Sequence, residues 1–394
     1  MPGPLHGIKV IDLTRVLAGP FCTMTLADLG AEIIKIEKPG TGDDSRAFGP
    51  HLHGESAYFM SINRGKKSLT LDLKAEKGRE IFLKLVKDAD VVVENFKPGV
   101  MKKLGLDYAA LQKINPKLIY CASSGFGQTG PYSSRPAYDL IIQGMGGLMS
   151  ITGPDASQPT KVGSSIADIF AGVFSAIGIL SALYNRTNTG KGQMVDVAML
   201  DCMVAILENA IARFTGSGID PVPIGNRHPS IAPFTSVRTS DGYINIACGN
   251  DALWLKLCEI IERPDLATDK RYESNRSRCD HMPDLLPQLN EAMQKQPAAY
   301  WLKKLEEGHV PAGPINTISQ VLSDPQVLAR NMLLELAHPV AGMVKVPGSP
   351  VKLSDTPAEV KAPAPVLGQH NDEILASLGY SVQQIEGFRA EAVI

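Results

Sequence analysis

The first hundred residues alternate short apolar runs with helix-length amphipathic segments, and that rhythm leaves few architectures open. The runs Gly7-IKVIDL-Thr14, Ala31-EIIKIE, Lys66-KSLTLDL and Ala89-DVVVEN are separated by helical stretches from Gly19 to Gly30 and from Ala75 to Asp88. Neighbouring parallel strands need a connection of helix length, so this order predicts an α/β fold with a parallel sheet covered by helices. Pro116-KLIYCASSGFG adds another buried strand that ends in a glycine-rich loop. A long apolar helix is expected from about Ile166 to Tyr184, its small residues Ala167, Ala171, Gly172, Ala176 and Gly178 allowing close neighbours.

A chain of 394 residues exceeds what one core usually serves. We expect a large Rossmann-like domain over 1–205, completed by a proline-punctuated C-terminal strap over 330–394 whose last helix runs from Asn371 to Leu378. Composition turns rich in Pro and Gly after Gly216, which predicts a linker over 206–224. A smaller α+β domain is expected over 225–325. It opens with the hairpin VRTSDGYINIAC, whose turn is Asp241-Gly242, and is helical from Trp254 to His309.

The formal charge of -2 argues against a nucleic-acid partner, because phosphate binding draws on an excess of Lys and Arg. Six scattered cysteines without a CxxC pair or a nearby His cluster predict reduced structural thiols and no metal site. The opening MPGPLHGIKVIDL lacks the basic and apolar regions of a secretory signal. No run offers about 18 uninterrupted apolar residues. A cytoplasmic protein that does not cross a membrane is the expectation.

In an open parallel sheet, ligands bind at the carboxyl ends of the strands. Val16, Leu17, Ala18, Lys38, Asn95 and Lys97 all follow predicted strands on that edge. The first βα turn, Asp12-LTRVLAGPFCTMTLADLG, lacks GxGxxG, which disfavours a dinucleotide oxidoreductase. Lys38, Arg46, Lys74, Lys97, Lys102 and Lys103 could instead hold a polyphosphate by charge-assisted bonds, a solvated surface being the alternative for each.

Asp168 stands alone at the start of the apolar run Gly163-SSIADIFAGVFSAIG. A carboxylate there needs a partner or a task, and a helix amino end favours its ionised, nucleophilic form. An ordinary helix cap is the alternative. Asp139, in Ala137-YDLIIQGMGGLMS, has the same character, and two carboxylates near an acyl carbonyl could share nucleophilic and positioning work.

Taken together, these segments resemble the family III CoA-transferases, the group that contains formyl-CoA transferase and carnitine CoA-transferase. The resemblance runs through GIKVIDLTRVLAGP, LADLGAEIIKIEKPGTGD, NRGKKSLTLDLK, VVVENFKPGVMKKLGL, GFGQTGP, IADIFAG, TGKGQMVDVAM, GNRHPSIAPF, HVPAGPIN and PVLGQHNDEIL, essentially the whole chain. It implies that Asp168 is the nucleophile, forming an aspartyl-CoA thioester during exchange of CoA between carboxylic acids. It implies a CoA site at Leu17, Ala18, Lys38, Leu71, Asp72, Leu73, Lys74, Asn95, Phe96, Lys97, Lys103, Pro136, Ala137, Tyr138 and Asp139, with Val16 beside it.

The resemblance further implies an interlocked homodimer, with CoA as substrate and no permanently bound cofactor. Lys38 and Lys103 stand where formyl-CoA transferase has arginine, Leu17 where it has glutamine and Asp139 where it has glutamate. Its glycine-rich flap is replaced by GNRHPSIAPF. These departures point away from the formyl and oxalate pair. The GNRHPSI segment is similar to that of members using succinyl-CoA and other dicarboxylates, for whose second carboxylate Arg15, Arg227 and His228 are candidate anchors. Backbone amides near Gly144, Gly146 and Gly147 are candidate oxyanion donors.

Two other functions fit the same resemblance less well. An α-methylacyl-CoA racemase would carry histidine where this chain has Tyr138, and a phenol, which ordinarily titrates near about 10, is a poor base at neutral pH. A non-catalytic acyl-CoA-binding protein has little reason to desolvate two aspartates.

Overall fold

The computed structural model describes residues 2–394. They form two compact units. One holds the chain up to Leu148, then Val162–Ile211 and Pro325–Ile394; the other holds Met149–Lys161 and Ala212–Asp324.

The first unit is built on six strands: β1 (Lys9–Asp12), β2 (Glu32–Glu37), β3 (Lys66–Thr70), β4 (Val91–Glu94), β5 (Ile119–Ser124) and β6 (Met194–Ala198). All pair in parallel, in the order β3-β2-β1-β4-β5-β6. This is the doubly wound order of Rossmann folds, with its switch point between β1 and β4, where ligands gather beyond the strand ends. Helices cover both faces, so Val91, Val92 and Val93 are all buried and the strand reads as a continuous apolar run. Ile11, Leu69, Phe82, Val92 and Tyr120 lie in one core, while Val10, Cys22, Leu26, Ile33 and Val93 lie in another.

Four helices position the residues that matter below: α1 (Ala18–Asp28), α2 (Ala57–Ile62), α3 (Asp139–Met145) and α4 (Ile166–Thr189). Helix α4 packs on α1 at Gly172, where an added Cβ would lie 2.7 Å from the Ala18 carbonyl oxygen and 3.2 Å from the Cys22 nitrogen. The small-residue stripe therefore serves close backbone approach, as its sequence predicts. By length and composition alone α4 could cross a membrane, although Asp168 and Ser175 interrupt its apolar run. In the fold its Ala167, Ala171, Ser175, Ala176 and Ile179 are buried core residues.

The tail returns to the edge of this sheet. Asn371 accepts from the Thr70 N–H at 2.9 Å and donates to the Thr70 hydroxyl at 2.7 Å, and the Asp72 N–H donates to the Val393 carbonyl at 2.8 Å. The strap thus covers edge strand β3, which would otherwise expose unpaired backbone. It does not end at Leu378, since a further helix spans Val382–Ala390, opened by a capping box between Ser381 and Gln384. Likewise the segment read as a linker carries a helix over Glu208–Ser217, where helix formers outweigh the flanking glycines.

The second unit pairs strands Phe234–Arg238, Tyr243–Ala247 and Ala312–Pro314 in an antiparallel sheet, the first two as the expected hairpin. Helices carrying Trp254, Leu257, Leu285, Leu289 and Trp301 share its core. Arg278 is fully buried there, donating to the carbonyls of Ala232 at 2.7 Å and Tyr272 at 2.9 Å and to Asp251 at 2.5 Å.

Candidate active site

Asp168 sits in the first turn of α4, whose preceding residue, Ser165, makes no side-chain cap. The capping task falls to Asp139, at the start of α3. Its Oδ1 accepts from the Ala167 N–H at 2.9 Å and its Oδ2 from the Gln143 amide at 2.7 Å. Gln143 is fully buried, and its own amide oxygen accepts from the Val162 N–H at 2.9 Å. The two acids that sequence alone leaves far apart are therefore neighbours. Asp139 is held by two donors, whereas the Asp168 carboxylate accepts no hydrogen bond among the described residues.

Burial, and then the Asp139 charge, push the Asp168 pKa up to about 7. Desolvation and a like charge thus outweigh the partial charge of the helix amino end, and the side chain ionises less readily than an ordinary aspartate. Tyr58, on α2, faces the same region. Its pKa is raised to about 12 by burial and by the charges of Asp168, Asp43 and Asp139, so its phenol stays protonated near neutral pH. Sequence reasoning missed Tyr58, since nothing in GESAYFMSINR distinguishes it from a core tyrosine.

The loop from Thr14 to Ala18 comes next. Val16 adopts φ 66°, a left-handed conformation that a β-branched residue rarely takes. Its N–H donates to Asp43 at 3.0 Å, and the neighbouring Arg15 is clamped in both directions by Asn95, each bond 2.8 Å. Beneath it, the fully buried Lys35 pairs with Asp43 at 2.9 Å and donates to the Thr14 carbonyl at 2.7 Å. Lys66 pairs with Asp12 at 3.0 Å. Burial alone would raise the Asp12 carboxyl, but Lys66 and Lys35 hold it well below the usual carboxylate range. Strain held in place by a paired charge network is a feature of functional loops.

Leu17 and Ala18 are buried at the start of α1, and Ala18 shares a core with Ala167 and Ala171. Asp168 lies four residues before Gly172, on the same face of α4, and so faces the beginning of α1.

Beyond the carboxyl ends of β1 to β4 opens a cavity of about 780 Å³. Of the sequence candidates it collects Arg15, Lys38, Leu71, Asp72, Leu73, Lys74, Phe96 and Lys103, and it adds Pro39, Thr41, Gly42 and Val100. Its wall carries the cations Arg15, Lys38, Lys74 and Lys103 among the acids Glu37, Asp43, Asp44 and Asp72, with Arg15 paired to Asp44 at 3.0 Å, so the three lysines are the groups open to an anionic ligand. Thr14 and Arg15 belong both to this wall and to the strained loop, which joins the cavity to the start of α1. Lys97 is exposed, and it and Asn95 do not line the cavity, Asn95 spending its amide on Arg15.

Pro136, Ala137 and Tyr138 lead into α3. An added Cβ on Gly125 would lie 2.2 Å from the Ala137 Cβ, which explains the glycine that opens GFGQTGP. Tyr138 is 75% exposed.

Gly144, Gly146 and Gly147 do not serve as expected. They lie at the carboxyl end of α3, where the Gly146 N–H is spent on the Ile142 carbonyl at 2.8 Å and the Gly147 N–H on the Gly144 carbonyl at 3.2 Å. A helix carboxyl end presents carbonyls, not free donors. Arg227 and His228 belong to the second unit, where with Arg213 they line a separate cavity of about 190 Å³. There Arg227 donates to the Ile224 carbonyl at 3.1 Å, and His228 packs on Phe234 and accepts from the Ser230 N–H at 3.1 Å.

A desolvated carboxylate and a lysine-bearing cavity are thus carried on one doubly wound sheet. The sequence matches CoA-transferase family III over residues 5–371, and the chain belongs to that family. It is 49% identical to the acetyl-CoA:oxalate CoA-transferase of Acetobacter aceti over 91% of each chain. It is 43% identical to the succinate–glutarate CoA-transferase of Agrobacterium fabrum, covering 95% of this chain and 96% of that one. A solved CAIB/BAIF family protein from Brucella suis superposes with a TM-score of 0.87 at 44% identity, over 96% of this chain and 100% of the other.

Proposed function

We propose that this CoA-transferase moves CoA from an acyl-CoA to a carboxylic acid through covalent intermediates on Asp168. The observation that carries this reading is the isolation of that carboxylate at the start of α4, raised in basicity by burial and by Asp139, yet free of hydrogen bonds that would blunt it as a nucleophile.

The ionised Asp168 attacks the thioester carbonyl, the C–S bond breaks, and a mixed anhydride and CoA thiolate result. The thiolate attacks the aspartyl carbonyl, releasing the donor acid as its carboxylate and leaving an aspartyl-CoA thioester. The acceptor carboxylate then attacks that thioester, and the expelled thiolate takes the new acyl group, restoring Asp168. Lys38, Lys74 and Lys103 would neutralise the phosphates of CoA, with Leu71, Asp72, Leu73 and Phe96 lining its path. The strained loop at Val16, Leu17 and Ala18 would carry the thioester arm from that cavity toward Asp168.

Short dicarboxylic acids are the proposed acid substrates. Oxalate, glutarate and mesaconate appear in the names of relatives that are 41–49% identical. Arg15 in the first unit, and separately Arg227 and His228 in the second, stay candidate partners for a second carboxylate. An interlocked homodimer is proposed as the working form, supported by the apolar side chains that α4 leaves exposed at Ile177 and Tyr184. A cytoplasmic location is proposed with it.

Incubation with succinyl-CoA, trapping with hydroxylamine and mapping by mass spectrometry tests the mechanism. A modified residue 168 is the expected result, and an unmodified Asp168 during active exchange would overturn it. A panel of dicarboxylate acceptors then orders the substrates.

A further inference from the structure

Gln143 is a buried polar side chain that no step of the proposed exchange uses, and it does not line the cavity. Its amide has two faces, both engaged. The nitrogen donates to Oδ2 of Asp139 at 2.7 Å, and the oxygen accepts from the Val162 N–H at 2.9 Å. Asp139 takes its second bond, 2.9 Å, from the Ala167 N–H. Both oxygens of Asp139 therefore meet donors, and a carboxylate that accepts such bonds is favoured in its ionised form. Asp168, one residue beyond Ala167, has none. The two acids therefore differ in the donors they meet, and hydrogen bonds favour the charged form of the group that accepts them.

We propose that Gln143 is a positioning residue that assigns the resting negative charge to Asp139 and thereby keeps Asp168 the more basic, more reactive member of the pair. The repulsion between the two carboxylates exists only while Asp168 is an anion. Acylation turns Asp168 into a neutral anhydride or thioester, so the repulsion is released in the step that forms the intermediate. Gln143 also ties the strand of chain at Val162 to α3, which fixes the entry to α4. The groups facing the pair are Asp139 from α3 and Tyr58 from α2, with Asp43 behind Tyr58. No cation contributes at Asp168.

The idea rests on Asp168 as the acyl acceptor, and the two can fail separately. Hydroxylamine trapping in the parent enzyme tests Asp168, whereas the pH profile of kcat/KM in Gln143 variants tests Gln143. In Gln143→Leu, Asp139 loses a donor and Asp168 carries more of the pair's single charge at low pH. The ratio of rates at pH 5.5 and pH 8.5 should then rise at least about fivefold over the parent, while the maximal rate falls about tenfold. Asp139→Asn should move the acidic limb in the same direction. A Gln143→Leu enzyme that is slower at every pH by one constant factor, while Asp139→Asn shifts its limb, would overturn the proposal and leave Gln143 a packing residue. Gln143→Glu keeps the volume and, when protonated, both hydrogen bonds, so it remains informative if Gln143→Leu does not fold. Its new carboxyl, once ionised, withdraws the donor and adds a negative charge beside Asp139, so the acidic limb of kcat/KM should be displaced from the parent's. A profile parallel to the parent's would sink the idea.

Discussion

The backbone N–H of Ala167 donates to Oδ1 of Asp139 at 2.9 Å, so the acid that caps α4 stands beside the acid in its first turn, Asp168. The consequence is that the proposed nucleophile is half protonated near neutral pH, with a pKa pushed up to about 7 by burial and by Asp139. Because only the anion attacks, kcat/KM should rise with pH through about 7 and level off above it. The linkage to stability has the opposite sense. A folded-state pKa above the unfolded value means that the fold binds the proton more tightly, so stability is greatest below the unfolded pKa of about 4 and declines up to the folded one. Asp168→Asn should therefore be more stable than the parent at pH 8.5 and little different at pH 4, which urea titrations at the two pH values can check.

Asp168→Ala should reduce CoA exchange by at least about 10³-fold, as expected when a covalent route is removed. CoA binding should persist, because the cavity cations are untouched. Exchange assays and calorimetric titration with CoA separate the two effects. A variant that neither exchanges nor binds would indicate misfolding rather than a missing nucleophile.

Lys38, Lys74 and Lys103 line one cavity and are all exposed, so each contributes modestly. Replacing any one by Ala should raise KM for acyl-CoA about three- to fivefold with kcat nearly unchanged, in line with about 0.2–1 kcal/mol for an exposed ion pair. Raising salt should narrow the gap between parent and variant, since screening weakens the same contacts. Steady-state kinetics at two ionic strengths tests both statements.

The sheet was legible from residues 1 to 124 because fully buried strands read as short β-rich runs and crossovers need helix-length spacers. Asp168 was legible too, as one acid in an apolar run. What sequence could not convey is who satisfies it. The pairing with Asp139 spans 29 positions and depends on Gly125 letting Ala137 come close, a contact with no local signature. The glycines at 144, 146 and 147 misled because glycine signals backbone freedom without saying which end of a helix it occupies. Tyr58 was hidden for a related reason: its environment is made by α4 and by Asp43, not by its own segment.

Asp43 joins the cavity wall to the strained loop, and its loss should be felt as stability. Burial works against its charge, but Lys35, at 2.9 Å, and the N–H groups of Ser45 and Val16 hold the carboxyl below its ordinary pKa. Such a depressed carboxylate stabilises the fold above its unfolded pKa of about 4, and that contribution disappears as pH falls through the folded value. Asp43→Ala would leave Lys35 buried with only Asp12 and Glu37 as anionic neighbours and without its direct ion pair. We expect a loss of about 3–5 kcal/mol at pH 7, shrinking below pH 4, and a higher KM because Val16 loses its acceptor. Denaturant midpoints across pH, alongside kinetics, provide the check.

Gly172 offers the sharpest test of how packing reaches the chemistry. Even a methyl group there would approach the Ala18 carbonyl oxygen to 2.7 Å and the Cys22 nitrogen to 3.2 Å, and backbone atoms cannot step aside as a side chain can. Gly172→Ala must therefore push α4 away from α1, at about 1–3 kcal/mol for overpacking, partly offset by the better helix propensity of alanine. Asp168 lies one turn away on the same face, so it moves with the helix, and a displacement of even 1 Å from the attack geometry can lower the rate about 10²-fold. Stability should thus fall modestly while kcat falls steeply, with KM for CoA changing less because the cavity lysines are not on α1 or α4. Equal losses in kcat and in cavity binding would mean instead that the sheet edge had been disturbed as a whole.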